Sequence, residues 1–234
     1  MERIDKIISE HTYYTRKEIK KLISQKAVYL NGEEVKRPEC KFDENNVSIV
    51  VNGKEIEIRK HIYLLLNKPK GYVSATEDKS QDTVLDLIPS EYKYRELFPA
   101  GRLDKDTTGL MLITDDGEFA HNILSPRKHV EKEYEVTLDI PVTSTMAEEF
   151  RNGVNLNDGE CKTAFLDITG EYTAKVTITE GRYHQIKRMF GCFGAKVVEL
   201  NRIRIGKLYM PKELNLGEVK EATETELQKI QERN

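Results

Sequence analysis

Gly101-Arg102-Leu103-Asp104-Lys105-Asp106-Thr107-Thr108-Gly109-Leu110 is a polar loop bounded by two glycines, and the fold follows from what flanks it. Before it, Glu96-Leu97-Phe98-Pro99-Ala100 is short and mostly apolar. After it, Leu110-Met111-Leu112-Ile113 is an apolar run that reads as a buried strand. Asp115-Asp116-Gly117 closes that strand and opens a helix from Glu118 to Leu124. Two carboxylates and an arginine therefore sit on a loop held between hydrophobic elements. Two readings stand at this point. The loop is a polar turn whose Asp and Thr bond their own backbone, or it is a rigidly held platform for catalytic groups.

Toward the C-terminus, Val130 to Leu138 alternates as a strand, with Val130, Lys132, Tyr134, Val136 and Leu138 on one face. By that pattern Tyr134 is a core tyrosine. Thr145 to Asn152 reads as a helix ended by Gly153, and strands follow at Ala164–Ile168 and Ala174–Ile178. A second dense motif, Glu180-Gly181-Arg182-Tyr183-His184-Gln185-Ile186-Lys187-Arg188-Met189-Phe190, reads as a turn and a helix with Ile186, Met189 and Phe190 inward. His184 has no second ligand at metal spacing, which favours a structural histidine. Val197–Leu200 and Ile203–Gly206 read as two further strands, and a short acidic helix follows Thr223.

Toward the N-terminus, Ile62-Tyr63-Leu64-Leu65-Leu66 is a buried strand ended by Asn67-Lys68-Pro69-Lys70-Gly71-Tyr72. Lys68 and Lys70 are loop charges or guides for a phosphate backbone. Val84 to Pro89 reads as a short helix. Ile4, Ile7 and Ile8 mark a first helix, and Thr15 with Glu18 forms a capping-box pattern for a second, Arg16 to Gln25. That helix buries Ile19, Leu22 and Ile23 and turns its lysines outward. Short strands joined by Asn31-Gly32 and Asn52-Gly53 turns complete a small α+β module.

Of 234 residues, 33% are charged and 38% hydrophobic, and no apolar run approaches a membrane span. The N-terminus lacks the apolar core of a secretory signal. Cys40, Cys161 and Cys192 are isolated and lack metal-ligand spacing, so the expected setting is a reducing cytoplasm with no metal and no membrane. The net charge of −3 is unevenly spread. Between Lys175 and Lys212 there are nine Lys/Arg and only two acids, Glu180 and Glu199, while the tail from Glu213 is acidic. Such a basic block is expected to present a phosphate-binding face.

The N-terminal stretches Arg3-Ile4-Asp5-Lys6-Ile7-Ile8, Thr15-Arg16-Lys17-Glu18 and Val28-Tyr29-Leu30-Asn31-Gly32 resemble an S4 RNA-binding domain. Four later blocks stand in order: Leu66-Asn67-Lys68-Pro69-Lys70-Gly71-Tyr72, Gly101-Arg102-Leu103-Asp104, Lys132-Glu133-Tyr134 and Gly181-Arg182-Tyr183-His184-Gln185-Ile186-Lys187-Arg188-Met189. Together they resemble the pseudouridine synthases of the ribosomal small-subunit synthase A family, which carry an S4 domain in front. The resemblance covers nearly the whole chain. Ala100 to Gly109, Thr114-Asp115-Asp116-Gly117 and Ser125-Pro126-Arg127-Lys128-His129-Val130-Glu131-Lys132 bring it nearest to the branch acting on 16S rRNA.

The resemblance implies an α+β fold: an S4-like module over residues 1–58, then a synthase domain over residues 61–234 with a mixed, mainly antiparallel sheet and flanking helices. It implies isomerisation of a uridine, taken as uridine 516 of 16S rRNA, without a cofactor. It makes Asp104 the nucleophile, Tyr134 the stacking and proton-transfer residue, and Lys187 the salt-bridge partner of Asp104. Arg102 replaces the flipped base or holds a phosphate, and Leu200 forms a pocket wall. Arg3, Arg16, Lys17, Lys20, Lys21, Lys68, Lys70, Arg182 and Arg188 are the expected RNA contacts. The expected partner is ribosomal RNA, free or in a small-subunit assembly intermediate, bound by a monomer. A synthase for a 23S rRNA uridine and a non-catalytic assembly factor are the rival readings.

Overall fold

The computed structural model describes residues 2–42, 47–125, 128 and 130–232. The basic turn expected at Pro126, Arg127 and His129 lies outside the described residues. The chain forms two compact units, Met1–Ile62 with Ile88–Leu97, and Tyr63–Leu87 with Phe98–Asn234. The first unit therefore takes in a segment that a division of the sequence near residue 60 would leave in the second. Arg95 ties that segment into the first unit, donating to the carbonyls of Glu10, Arg59 and Lys60.

In the first unit, helix α1 (Ile4–His11) buries Ile4, Ile7 and Ile8, and α2 (Arg16–Ser24) buries Ile19 and Ile23. These close a core with Val28, Ile49 and Val51. Helix α2 starts where its sequence dictates. Thr15 Oγ1 accepts from the Glu18 N–H at 3.3 Å, and the Glu18 carboxylate accepts from the Thr15 N–H at 2.8 Å. The strands Val28–Leu30 and Glu33–Glu34 turn at Asn31 and Gly32, φ 52° and 83°. Ile49–Val51 and Lys54–Ile56 turn at Asn52 and Gly53, φ 51° and 75°. Both turns carry two positive φ values, the twist that a tight hairpin needs and that Asn-Gly tolerates.

The second unit is a mixed, mainly antiparallel sheet flanked by helices. Its main strands run in the order Phe165–Ile168, Thr173–Ile178, Lys132–Leu138, Val197–Ile205, Thr108–Thr114, Tyr63–Lys68, Val219–Glu221. Every neighbouring pair is antiparallel except Val197–Ile205 with Thr108–Thr114. That parallel contact sets Asn201 against Thr108 and Arg202 against Gly109. Gly109 is required there. Its φ is 113°, and a Cβ would sit 2.3 Å from the Arg202 carbonyl oxygen. Helices α3 (Gly117–Leu124), α4 (Ser144–Asn152), α5 (Gln185–Gly191) and α6 (Glu224–Gln231) pack on the sheet or beside it. Leu65, Leu110, Leu112, Phe119, Ile123, Ile205 and Ile230 share one core.

One expectation changes and another holds. Val197–Leu200 and Ile203–Gly206 are not separate strands, because Asn201 and Arg202 continue the ladder as one nine-residue strand. Lys132–Leu138 alternates as read, with Lys132, Tyr134, Val136 and Leu138 all buried. None of the helices among the described residues is long and apolar enough to cross a membrane.

Candidate active site

The Gly-bounded loop is held from beneath by Lys68. This side chain is fully buried, so the expectation that it meets an RNA phosphate is corrected. Its Nζ donates to the carbonyls of Thr107 (2.9 Å), Asp104 (3.1 Å), Pro69 (3.1 Å) and Lys105 (3.4 Å). Three of those carbonyls belong to the loop, so one ammonium gathers it. Burial pushes Lys68 down to about 8, against the pull of Asp106 and Asp104. The loop's flank is closed by Ser74, whose Oγ accepts from the Leu103 N–H at 2.9 Å and donates to the Leu103 carbonyl at 2.7 Å.

The segment before α5 brings the second half of the site. Arg182 N–H donates to the Gln185 side-chain oxygen, and Gln185 Nε2 donates to Glu180, closing a turn. His184 then takes the left-handed conformation, φ 49°, immediately before the helix. Ile186, Met189 and Phe190 are buried, Phe190 against Phe150 with ring centroids 4.8 Å apart. That packing leaves Lys187 turned to the loop, where its Nζ lies 2.9 Å from Asp104 Oδ2 and 2.6 Å from Asp106 Oδ1. Burial alone would lower Lys187, but the bonds to Asp106 and Asp104 outweigh it and raise its pKa. The Lys187 hydrogen bond likewise holds Asp106 below the usual carboxylate range. His184 Nε2 sits 3.4 Å from the other Asp104 oxygen.

The sheet supplies the wall. Tyr134, Lys132, Ile178, Leu200 and Arg202 line a cleft of about 920 Å³ together with Asp104, Lys187, His184 and the exposed Arg102. That volume is at the upper end for a small-molecule pocket and open enough for part of a larger ligand. Asp104, Tyr134, Lys187, Arg102 and Leu200 are thus brought together in one cleft.

The other expected RNA contacts divide. Arg16, Lys17, Lys20 and Lys21 are exposed on or beside α2. Arg3 is half-exposed but bonded to Asp5 through two nitrogens, at 3.0 and 2.8 Å. Lys70 is paired with Glu199 at 2.5 Å. Arg182 and Arg188, expected as phosphate contacts, are partly exposed and both bonded within the protein. Arg182 donates to the carbonyls of Asp158, Gly159 and Glu160, and Arg188 binds the Asp158 carboxylate. Several cations of the block between Lys175 and Lys212 are therefore paired within the protein, while Lys196, Lys207 and Lys212 are exposed. Arg204 is buried between Glu131 and Glu133, and Arg202 is buried in the cleft wall.

Asp106, His184, Lys132 and Arg202 belong to the site although sequence reasoning gave them no role there. Asp106 shares the loop with Asp104, and Lys132 shares a strand face with Tyr134, so spacing carried a signal for both. Nothing local pointed to Arg202. Among the described residues no group of three His, Cys, Asp or Glu side chains is placed to hold a metal ion.

Comparison with known proteins gives the site a context. A family model described as RNA pseudouridylate synthase matches residues 62–191, and an S4 domain model matches residues 2–47. An uncharacterised RNA pseudouridine synthase of Bacillus subtilis is 40% identical, covering 98% of both chains. The ribosomal small subunit pseudouridine synthase A of Escherichia coli K12 is 40% identical, over 97% of this chain and 99% of that protein. A crystal structure of a pseudouridylate synthase superposes with a TM-score of 0.69 at 38% identity, over 98% of this chain and 100% of the other.

Proposed function

This chain belongs to the RNA pseudouridylate synthase family, and we propose that it isomerises one uridine of 16S ribosomal RNA, uridine 516, with Asp104 at the reacting sugar. The N1–C1′ bond breaks with its electron pair leaving on the uracil. The base turns, C5 bonds to C1′, C5 loses its proton and N1 gains one. Atoms and oxidation state balance, so the conversion is an isomerisation.

The observation that carries this reading is the 2.9 Å pairing of Asp104 with Lys187 in a cleft that Tyr134 also lines. A carboxylate that must act as a nucleophile has to stay ionised when a base encloses it, and a fixed ammonium opposes the cost of burial. Lys187 Nζ, 2.9 Å from Asp104 Oδ2, is the ammonium beside it. Tyr134 offers a ring for the extruded uracil and a hydroxyl for the proton at C5. Arg102, exposed at the loop, fills the vacated stack or holds a flanking phosphate. Extruding a uridine costs a few kcal/mol, which contacts elsewhere on the RNA must offset. The exposed Arg16, Lys17, Lys20 and Lys21 supply such contacts through salt-sensitive phosphate binding.

The test uses 16S rRNA carrying tritium at C5 of its uridines. Wild-type protein should release tritium in proportion to pseudouridine formed. Asp104→Asn should release none while retaining RNA affinity. Tritium release by Asp104→Asn at the wild-type rate would remove Asp104 from the chemistry.

A further inference from the structure

We propose that Arg202, with Lys132 beside it, receives the negative charge of the uracil once its bond to the sugar has broken. The proposal deepens the reading of the cleft as a pseudouridine synthase site and rests on it.

Register places these side chains. Tyr134 and Arg202 are direct partners across the antiparallel pair Lys132–Leu138 and Val197–Ile205, so both project from the same face of the sheet. Lys132 stands two residues before Tyr134 and shares that face. Its partner on the other side is Ile178, which also lines the cleft. The face that carries the tyrosine thus also carries two cations.

Their surroundings are unusual. Arg202 is only 4% exposed, and its Nε donates to the Leu110 carbonyl at 2.7 Å, which fixes the guanidinium plane. Its Nη2 is buried and has no hydrogen-bond partner, and the same is true of Thr107 Oγ1 in the cleft lining. Lys132 is 7% exposed and donates to the Ile123 carbonyl at 3.3 Å. Among the described residues, neither Arg202 nor Lys132 has a carboxylate within ion-pair distance. Burial and the nearby Arg202 charge push Lys132 down to about 8. Two buried cations without a counter-charge are costly, and an orphaned buried donor adds to the cost. A ligand that brings negative charge would relieve both.

The reaction makes such a charge. When N1–C1′ breaks, the bonding pair stays on N1 and spreads onto O2 and O4. When C5 bonds to C1′ the ring becomes neutral, and it ends neutral because N1 takes up a proton as C5 loses its own. Negative charge on the uracil oxygens therefore exists only between bond cleavage and bond formation. Donors already fixed in a buried wall stabilise that species without reorganising, and such donors act chiefly on rate rather than on binding.

The experiment is a cycle between enzyme and substrate. A 16S rRNA fragment containing the converted uridine is prepared with uridine, 2-thiouridine or 4-thiouridine at that position, sulfur being the weaker acceptor. Single-turnover rates are measured for wild type and Arg202→Met. On uridine, Arg202→Met should be slower by about 100-fold, the loss that removing one fixed charge-stabilising donor brings, with RNA affinity unchanged. At least one thio substitution should slow wild type markedly and slow Arg202→Met much less. Partial misfolding would scale all three substrates alike and leave those ratios intact. Should Arg202→Met fail to fold, Arg202→Lys is measured for the same ratios.

Equal sensitivity of both proteins to both thio substitutions overturns the proposal. So does a loss confined to RNA affinity and its salt dependence, which would make Arg202 a phosphate contact. Failure of wild type to convert any of the substrates would instead sink the synthase reading itself.

Discussion

Lys68 stands where a strand gives way to Pro69-Lys70-Gly71, yet its ammonium is among the most buried groups in the protein and holds three carbonyls of the Asp104 loop. Lys68→Met keeps the volume and removes the donor. It is expected to cost about 2 kcal/mol of stability through the carbonyls left without partners, and to slow turnover by loosening Asp104. The pH dependence has a definite sign. An ordinary lysine titrates at 10.5 and folded Lys68 at about 8, so between those values the unfolded chain holds a proton that the folded one has released. Wild-type stability should therefore gain from this residue as pH rises from about 8 toward 10.5, and lose that gain as pH falls back through 8. Urea melts across that window should show a smaller rise for Lys68→Met, and an identical rise would refute the assignment. Lys132 contributes in the same direction and remains in the variant. None of this was legible locally. A Lys-Pro-Lys-Gly run reads as a solvated turn, because the carbonyls that capture Lys68 lie some 36 to 39 residues away. Tyr134 was half-legible. Alternation gave it a buried face, and only the cleft shows that this face meets a ligand-sized space as well as core.

At the level of elements, most boundaries could be read because they are set by local chemistry. Thr15 with Glu18 and Thr223 with Glu226 both form capping boxes, and both Asn-Gly pairs form tight turns. Thr15→Ala should destabilise the first unit by about 1 kcal/mol, the usual worth of an N-cap, measurable by thermal melting. The single strand Val197–Ile205 was not readable as one piece, since Asn201 and Arg202 interrupt an apolar pattern that only pairing on both sides restores. That pairing also constrains Gly109. Gly109→Ala forces a Cβ against the Arg202 backbone and into a φ of 113°, and should cost about 1–3 kcal/mol or more. Activity should fall with it, since the same contact positions Arg202 and ends the Asp104 loop. Helix α2 offers a separate test. Lys20→Ala with Lys21→Ala should lower the salt dependence of RNA binding by about 1.5 in log–log slope while leaving folding intact. An unchanged slope would take this helix out of the interface.

For the whole molecule, net charge is a poor guide to its partner, and so is the basic block in the sequence. A chain with a net charge of −3 is not an obvious RNA binder. Several of the dense cations between Lys175 and Lys212 are paired within the protein: Lys187 on Asp104 and Asp106, Arg188 on Asp158, Arg204 on Glu131 and Glu133. The charges left in solvent on α2 are fewer and belong to the unit matched by the S4 model. On the proposed reading, recruitment and chemistry fall to different parts of the chain, and variants should separate them. Losses in α2 should weaken RNA binding with the chemical step preserved, and losses at Asp104 should do the reverse. The most direct measurement is pseudouridine mapping across 16S and 23S rRNA, free and in ribosomal assembly intermediates, after incubation with wild type or Asp104→Asn. The expected result is one site in 16S rRNA, present with wild type and absent with Asp104→Asn. A site that persists with Asp104→Asn, or no site in any RNA that the wild-type protein binds, would contradict it.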